Sequence, residues 1–210
     1  MRASAAAVAA VILGTASSAR AQIGPEPSMV TAHLHGVNQV QAYFAIPENE
    51  FLLGGHLRFA LADELDLGAR AGVSFVDGAD DYVFVGGDGR YALIGQRLTG
   101  AGPTFNLSFH GGLGVRSQSG LTRWKIPLGF PTGLTFGLVS GSLEIFTHPR
   151  IELGFQNVGA DDSDLGLAVD VGAFWQTGPV LGILADVRFG NGIFNEPDTG
   201  VLAVGVSARF

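Results

Sequence analysis

The chain has 210 residues, of which 47% are hydrophobic and 15% are charged, with a formal net charge of −7 and no cysteine. Soluble domains contain about 25% charged residues, so this composition favours a lipid environment or an unusually large core. The acidic balance, without any basic block, argues against a nucleic-acid partner. The lack of cysteine excludes disulfides, thiolate nucleophiles and cysteine-ligated metals.

The first 21 residues have the pattern of a secretory signal peptide. Arg2 provides a positive start, and residues 5–16 form an apolar segment too short to cross a bilayer. The tripeptide Ala19-Arg20-Ala21 has the form of a cleavage site. We therefore expect export of the chain and cleavage after Ala21.

The sequence then predicts a short extended leader over 22–29, which contains two prolines, and one folded domain over 30–210. A transmembrane helix is excluded from this domain because no run of about 18 apolar residues occurs in it. Apolar and polar residues instead alternate in blocks of about ten, which is typical of antiparallel strands. In chain order, the predicted strands are 34–46, 51–61, 65–75, 90–98, 105–115, 123–138, 143–155, 165–176, 181–189 and 202–210.

Two places leave the strand count between eight and twelve. Residues 82–85 either begin the fourth strand or lie in a loop, and residues 131–133 either stay within the sixth strand or divide it into a hairpin. The segment Gly86-Gly87-Asp88-Gly89 is interpreted as a turn. Ten strands are expected, because an even number brings both ends of a membrane barrel to one side.

The connections between these strands alternate in length. Short turns at 62–64 and 177–179 are predicted for one side, and longer polar loops at 77–81, 157–164 and 191–199 for the other. Short turns on one side and longer loops on the other are typical of transmembrane barrels. We expect the side with the longer loops to face outward.

The two faces of the predicted strands differ in chemistry. One carries Leu, Val, Phe and Trp, and the other carries glycine and every charged strand residue that we can assign to a face. Small residues suit the inside of a narrow barrel, and a lipid-facing Arg or Lys at the bilayer midplane costs about 2–4 kcal/mol. The sequence therefore predicts an all-β fold, an antiparallel up-and-down transmembrane β-barrel.

Charges of both signs on the inward face are expected to pair, because an isolated buried charge is costly. Antiparallel register places Arg150 near Asp170, and Asp170 near Asp186 and Arg188. The predicted ion-pair network of the lumen comprises Arg58, Arg70, Arg116, Arg150, Glu152, Asp170, Asp186 and Arg188.

The C-terminal residues 202–210, LAVGVSARF, alternate apolar and small or polar residues and end in phenylalanine. This strand resembles the last strand of bacterial outer-membrane β-barrel proteins, and the chain is similar in size to the porin-like and OmpA-like transmembrane barrels. The resemblance implies an outer-membrane location among lipid and lipopolysaccharide. It also implies recognition by the barrel-assembly machinery through Val204, Val206 and Phe210, to which Ala208 is a weak match. No peptidoglycan-binding domain follows the last strand, so anchoring by such a domain is not expected.

Other candidate sites have weaker support. His33 and His35 share one face of the first predicted strand, but no third ligand follows at metal-binding spacing. Ser108 and His110 share the inward face of the fifth strand, about 6.5–7 Å apart, which is too far for a direct hydroxyl–imidazole hydrogen bond. The acidic pairs at 80–81 and 161–162 are interpreted as solvated loop residues. Five aromatic residues are candidates for the girdles at the membrane surfaces, namely Tyr43, Tyr82, Tyr91, Trp124 and Trp175.

The leading functional hypothesis is a structural or porin-like barrel with a narrow charged lumen. The alternatives are a surface-adhesion barrel that acts through its outer loops and, with less support, a lipid-modifying hydrolase built around Ser108 and His110. We assign no catalytic residue, metal or cofactor.

Overall fold

Alternating side chains organise the chain into eleven antiparallel strands. The computed structural model describes residues 28–47, 50–157, 163–191 and 200–210. The predicted signal peptide, most of the predicted leader, the acidic pair at 161–162 and most of the loop at 191–199 lie outside these ranges. The strands are β1 (Gln39–Ile46), β2 (Glu50–Ala62), β3 (Leu65–Val76), β4 (Tyr82–Arg97), β5 (Thr104–Gln118), β6 (Leu121–Gly129), β7 (Thr132–Leu138), β8 (Gly141–Gln156), β9 (Ser163–Gln176), β10 (Leu181–Asn191) and β11 (Val201–Arg209).

The sheet closes on itself. Apart from β6 and β7, each strand pairs with the next along the chain, and β1 pairs with β11, so the strands form an up-and-down barrel. Strands β6 and β7 together fill a single position in the wall, because both pair with β5 and with β8. The barrel therefore has ten wall positions, and closure pairs the strand edges that hydrocarbon does not tolerate. The predicted antiparallel barrel of about ten strands is confirmed.

The interruption between β6 and β7 is not a hairpin. Both strands run antiparallel to β5, so the chain keeps its direction through Phe130 and Pro131. Proline has no N–H group to donate to a neighbouring strand, which explains the break. The flanking backbone groups still find partners, since Phe130 N donates to Pro149 O at 3.1 Å and Ser108 N to Pro131 O at 2.9 Å.

Two predicted boundaries differ from the structure. The first strand begins at Gln39 rather than at residue 34, so residues 28–38 precede the wall. Strand β4 begins at Tyr82 and continues through Gly86-Gly87-Asp88-Gly89, so the interpretation of that segment as a turn was wrong. These residues pair on both sides, with β3 and with β5.

The faces of the wall have the sidedness that a membrane requires. The charged side chains of the strands point inward and are buried, together with an apolar cluster that includes Leu52, Phe84, Phe146, Phe174 and Leu184, whereas the side chains that point outward are apolar and exposed. In β9, for example, Asp170 is fully buried while Val171 is 45% exposed. Exposed apolar side chains around the barrel include Phe44, Leu57, Leu67, Val85, Leu113, Ile145, Ile151, Leu167, Ile183, Phe189, Leu202 and Val206. The described residues contain no helix of the length and apolarity needed to cross a membrane.

The aromatic residues that we considered for membrane girdles divide between the two faces. Tyr91, Trp124 and Trp175 are exposed on the outer surface. Tyr43 and Tyr82 lie inside the barrel, 5% and 1% exposed, so their assignment to a girdle was wrong. Their phase in β1 and β4 explains this, because each lies two residues from another inward-pointing side chain.

Candidate functional site in the barrel lumen

A first ion cluster lies on one side of the lumen and joins Arg58, Asp66, Asp88 and Arg90 of strands β2, β3 and β4. Arg58 Nη2 lies 2.5 Å from Asp66 Oδ1, and Arg58 Nη1 lies 2.8 Å from Asp88 Oδ1. Arg90 forms a second ion pair with Asp66. All four side chains are less than 9% exposed. Each carboxylate of this first cluster therefore accepts hydrogen bonds from at least one guanidinium.

Histidines surround Asp88 and extend the first cluster across the lumen. His56 Nε2 lies 3.0 Å from Asp88 Oδ2, and His110 Nε2 lies 3.7 Å from Asp88 Oδ1. The His110 ring meets the His148 ring edge to face, with 4.8 Å between the ring centroids. Because His148 belongs to β8, this contact links two separated parts of the wall.

A second ion cluster lies beyond His148 and comprises Lys125, Arg150, Glu152, Asp170 and Arg188. Glu152 is its centre, because its carboxylate lies 2.7 Å from Arg150 Nε, 2.8 Å from Arg188 Nη2 and 3.9 Å from Lys125 Nζ. Arg150 also forms an ion pair with Asp170. The cluster thus joins side chains from β6, β8, β9 and β10.

Strand period and register explain how these side chains meet. Residues two apart on one strand share a face, which brings Arg150 and Glu152 together. The register pairs Arg188 of β10 with Asp170 of β9, and Asp170 in turn with His148 of β8. Directly paired residues have Cβ atoms only about 4.5–5.5 Å apart, so long ionic side chains on the same face reach one another.

Glycines that face inward leave room for the side chains of the first ion cluster. A Cβ atom on Gly68 would lie 2.4 Å from His56 Nε2 and 2.8 Å from Asp88 Oδ2. A Cβ atom on Gly112 would lie 3.0 Å from the Cβ of Asp88. These glycines are therefore required for close packing of the charged groups rather than for a turn.

The chain before the first strand begins inside the barrel and reaches the surface at Gly36 and Val37. We call residues 28–38 the lumen segment, and its first five side chains, Ser28, Met29, Val30, Thr31 and Ala32, are at most 4% exposed. Arg90 Nη1 donates to Thr31 O at 2.7 Å, while Ala32 N and His33 N donate to Glu144 Oε1 at 2.8 and 2.9 Å. The sequence predicts a leader and the start of the first strand here, and it contains no signal for a position in the lumen.

The predicted lumen residues are all buried, but their contacts differ. Arg58, Arg150, Glu152, Asp170 and Arg188 belong to the two ion clusters. The other three have different surroundings. Arg116 lies over the Tyr82 ring, 3.2 Å from its centroid, Arg70 lies beside Gly86, and Asp186 accepts a hydrogen bond from Met29 N at 3.2 Å.

Eight other charged or histidine residues of the described strands take part in these lumen contacts but are not in the predicted network. They are His56, Asp66, Asp88, Arg90, His110, Lys125, Glu144 and His148. The inward phase of their strands is the signal that identifies most of them. Asp88 was hidden by the turn interpretation of the glycines around it.

The remaining candidates, Ser108, His110, His33 and His35, lie inside the barrel. Ser108 and His110 are 0% and 1% exposed, and the Ser108 hydroxyl has no hydrogen-bond partner there. His33 and His35 belong to the lumen segment, with ring centroids 4.8 Å apart. Within the described ranges, no group of three or more His, Cys, Asp or Glu residues is arranged to hold a metal ion.

The acidic residues of the loop between β3 and β4 are engaged in local contacts. Asp80 accepts a hydrogen bond from the Ser119 hydroxyl, and Asp81 Oδ1 accepts one from Val76 N at 3.2 Å. The first contact joins the loop to the neighbouring turn, and the second lies within the loop.

No family model matches the sequence, and no curated protein matches it. Three solved structures resemble the chain in outline. The N-terminal β-barrel domain of OprF from Pseudomonas aeruginosa has 11% identity and a TM-score of 0.40, over 83% of this chain and 98% of that one. A de novo designed transmembrane β-barrel has 12% identity and a TM-score of 0.36, over 83% and 96%. The translocator domain of the autotransporter NalP from Neisseria meningitidis has 14% identity and a TM-score of 0.35, over 83% and 87%. With identities and TM-scores this low, no function follows from these likenesses.

Proposed function

We propose that this chain is an integral outer-membrane protein whose barrel has a structural role and does not conduct solutes in its resting state. The observation that carries the proposal is the filled lumen. Two ion clusters and the lumen segment occupy the space that a porin leaves to water.

The membrane part of the proposal is supported by the outer surface. Between their ends, the described strands present apolar side chains outward, and their charged side chains point inward. A soluble barrel would expose this apolar area to water, at about 25 cal/mol for each Å². Trp124 and Trp175 lie near opposite ends of the barrel, as expected for side chains at the two membrane surfaces.

The closure part of the proposal is supported by packing around the second ion cluster. The space between Ser28, His110, Lys125 and Glu152 is too small to hold a water molecule. Ten strands already enclose a narrow interior, and long side chains from both sides fill it here. This packing supports a lumen that is closed to ions at this level.

Planar-bilayer recording tests the proposed function. The protein is purified from outer membranes, and a slower-migrating form after heating identifies the folded barrel on gels. We expect the folded protein to show no single-channel steps above the baseline, because the lumen is occupied. Steady channels from unmodified protein would contradict a closed structural barrel, and failure to recover the protein from outer membranes would contradict the location.

The proposal includes assembly through the last strand. Val206 and Phe210 are 59% and 67% exposed on the outer surface, and Val204 shares their phase, so these side chains are accessible to an assembly factor in the membrane. We expect deletion of Phe210 to lower the folded fraction in outer membranes several-fold, whereas Val37→Ala, which changes an exposed residue before the first strand, should not change it. Equal folded fractions for the two variants and the unmodified protein would show that Phe210 is not needed.

A further inference from the structure

We propose that the barrel wall contains a binding site for a peptide backbone, and that residues 28–33 of the same chain occupy it. The site consists of Arg90, Glu144, His148 and Asp186. This proposal shares one requirement with the proposed function, which is a folded barrel, and rests on it in no other way.

Three charged side chains of the wall bind main-chain groups of the lumen segment. Asp186 Oδ2 accepts from Met29 N at 3.2 Å. Arg90 Nη1 donates to Thr31 O at 2.7 Å. Glu144 Oε1 accepts from the next two amides, Ala32 N at 2.8 Å and His33 N at 2.9 Å. Along the segment, the N–H, C=O and N–H groups thus meet an acceptor, a donor and an acceptor in turn, and these partners come from β10, β4 and β8.

The state of the lumen carboxylates indicates that this arrangement is a binding site and not incidental packing. Asp66, Asp88, Glu152 and Asp170 each form an ion pair with an arginine. Within the described residues, Glu144 and Asp186 form no ion pair with a Lys, Arg or His side chain, although they are 1% and 0% exposed. A buried carboxylate without hydrogen bonds costs several kcal/mol. One oxygen of each of these carboxylates, Glu144 Oε1 and Asp186 Oδ2, accepts hydrogen bonds from amides of the lumen segment.

Side-chain contacts add a preference at the first two positions of the bound peptide. Ser28 Oγ lies 3.0 Å from His148 Nδ1. The Met29 methyl group packs against Gly205, where a Cβ atom would lie only 2.9 Å from it. Met29 has a φ of 50°, which is uncommon for a residue other than glycine and persists only where surrounding contacts hold it. The site therefore recognises mainly backbone, with a serine or other small polar residue followed by methionine.

The ligand is thus a peptide backbone, and the natural occupant is tethered. A segment joined directly to β1 has an effective concentration in the millimolar range, so it excludes a free peptide of equal intrinsic affinity. A barrel whose segment cannot make these hydrogen bonds should instead bind the same peptide from solution.

The experiment uses the full chain with Met29→Pro and Ala32→Pro. Proline removes the N–H groups that donate hydrogen bonds to Asp186 and Glu144. Its fixed φ is also incompatible with the φ of Met29. The control variant carries Met29→Leu and Ala32→Gly, which keep both N–H groups. The probe is a fluorescent synthetic peptide with the sequence of residues 28–38 and capped ends, and its anisotropy is measured with the folded barrel in detergent. We expect the proline variant to bind the probe at least about tenfold more tightly than the control or the unmodified protein.

Adding Glu144→Leu to the proline variant supplies the decisive comparison. This substitution removes the carboxylate that accepts hydrogen bonds from two amides. Because Glu144 forms no ion pair with another described residue, no cation loses its partner, and binding of the probe should weaken by about tenfold or more. A folded proline variant that does not bind the probe, or that binds it equally well after Glu144→Leu is added, would overturn the proposal. Either result leaves the proposed function intact, since that depends on membrane location and conductance.

A second measurement applies if the proline variant does not fold. In the full chain, Glu144→Leu alone should speed amide hydrogen exchange at Ala32 and His33 at least about tenfold, while exchange in the strands β1 to β11 stays slow. Unchanged exchange at these two amides would also refute the site.

Discussion

Replacing Glu152 with glutamine is expected to lower the free energy of unfolding by about 3–5 kcal/mol, the usual effect of breaking a buried ion pair. Glu152 is 1% exposed, and its carboxylate is shared by Lys125, Arg150 and Arg188. Glutamine keeps the size of the side chain but removes the negative charge that offsets three cations. Urea unfolding of the barrel in lipid vesicles, followed by tryptophan fluorescence, measures the loss.

The matched control is Asp77→Asn, the same change of carboxylate to amide in an exposed loop. Exposed substitutions outside special features usually change stability by no more than about 0.5 kcal/mol. If Glu152→Gln lowered the free energy of unfolding no more than the control does, the second ion cluster would contribute little to stability. The lumen charges would then have to be solvated in a water-filled pore. The same variant should then be recorded in planar bilayers, where a stable but conducting barrel would support that explanation.

Introducing an arginine on the outer surface is expected to have the next largest effect. Val171 lies in the middle of β9 and points outward, 45% exposed. Val171→Arg should destabilise the folded barrel in vesicles by about 2–4 kcal/mol, because the guanidinium would lie in hydrocarbon near the midplane. The measurement is again urea unfolding in vesicles.

Leu165→Arg provides the control on the same strand and the same face. Leu165 is 61% exposed and lies near the start of β9, where an arginine side chain extends to the membrane surface. Its cost should be only about 0–1 kcal/mol. Equal losses in the free energy of unfolding at the two positions would show that the middle of β9 does not lie deeper in a bilayer than its start. That result would contradict the transmembrane assignment.

The lumen carboxylates fall into two groups with different roles. Asp66, Asp88, Glu152 and Asp170 stabilise the wall through arginines. Glu144 and Asp186 instead bind the main chain of the lumen segment. This division separates the two proposals experimentally, because Glu152 variants change the stability of the barrel and Glu144 variants change the position of the segment.

Much of the wall could be predicted because a strand in a barrel has a simple period. Successive side chains alternate between lipid and lumen, so a run such as residues 165–176 shows both faces without any knowledge of its neighbours. The same rule predicted that Arg150, Glu152 and Asp170 point inward, and the register of adjacent strands brings them together.

Local sequence was misleading where a residue had a role set by distant neighbours. Glycines at 86–89 are typical of a turn, yet here they continue β4. Gly112 on the adjacent strand leaves room for Asp88, which the residues around Asp88 do not reveal. Tyr82 has the chemistry of a girdle residue but lies under Arg116, a residue of another strand.

By itself, the sequence determined the strand periodicity, the closed barrel class and the inward direction of most charges, because each depends on neighbours along one strand. Only the tertiary structure decided the partners of those charges and the course of residues 28–38. Met29 meets Asp186 across 157 residues of chain, and Ala32 meets Glu144 across 112. Such contacts depend on closure of the whole wall, which brings opposite strands to face each other across a narrow lumen.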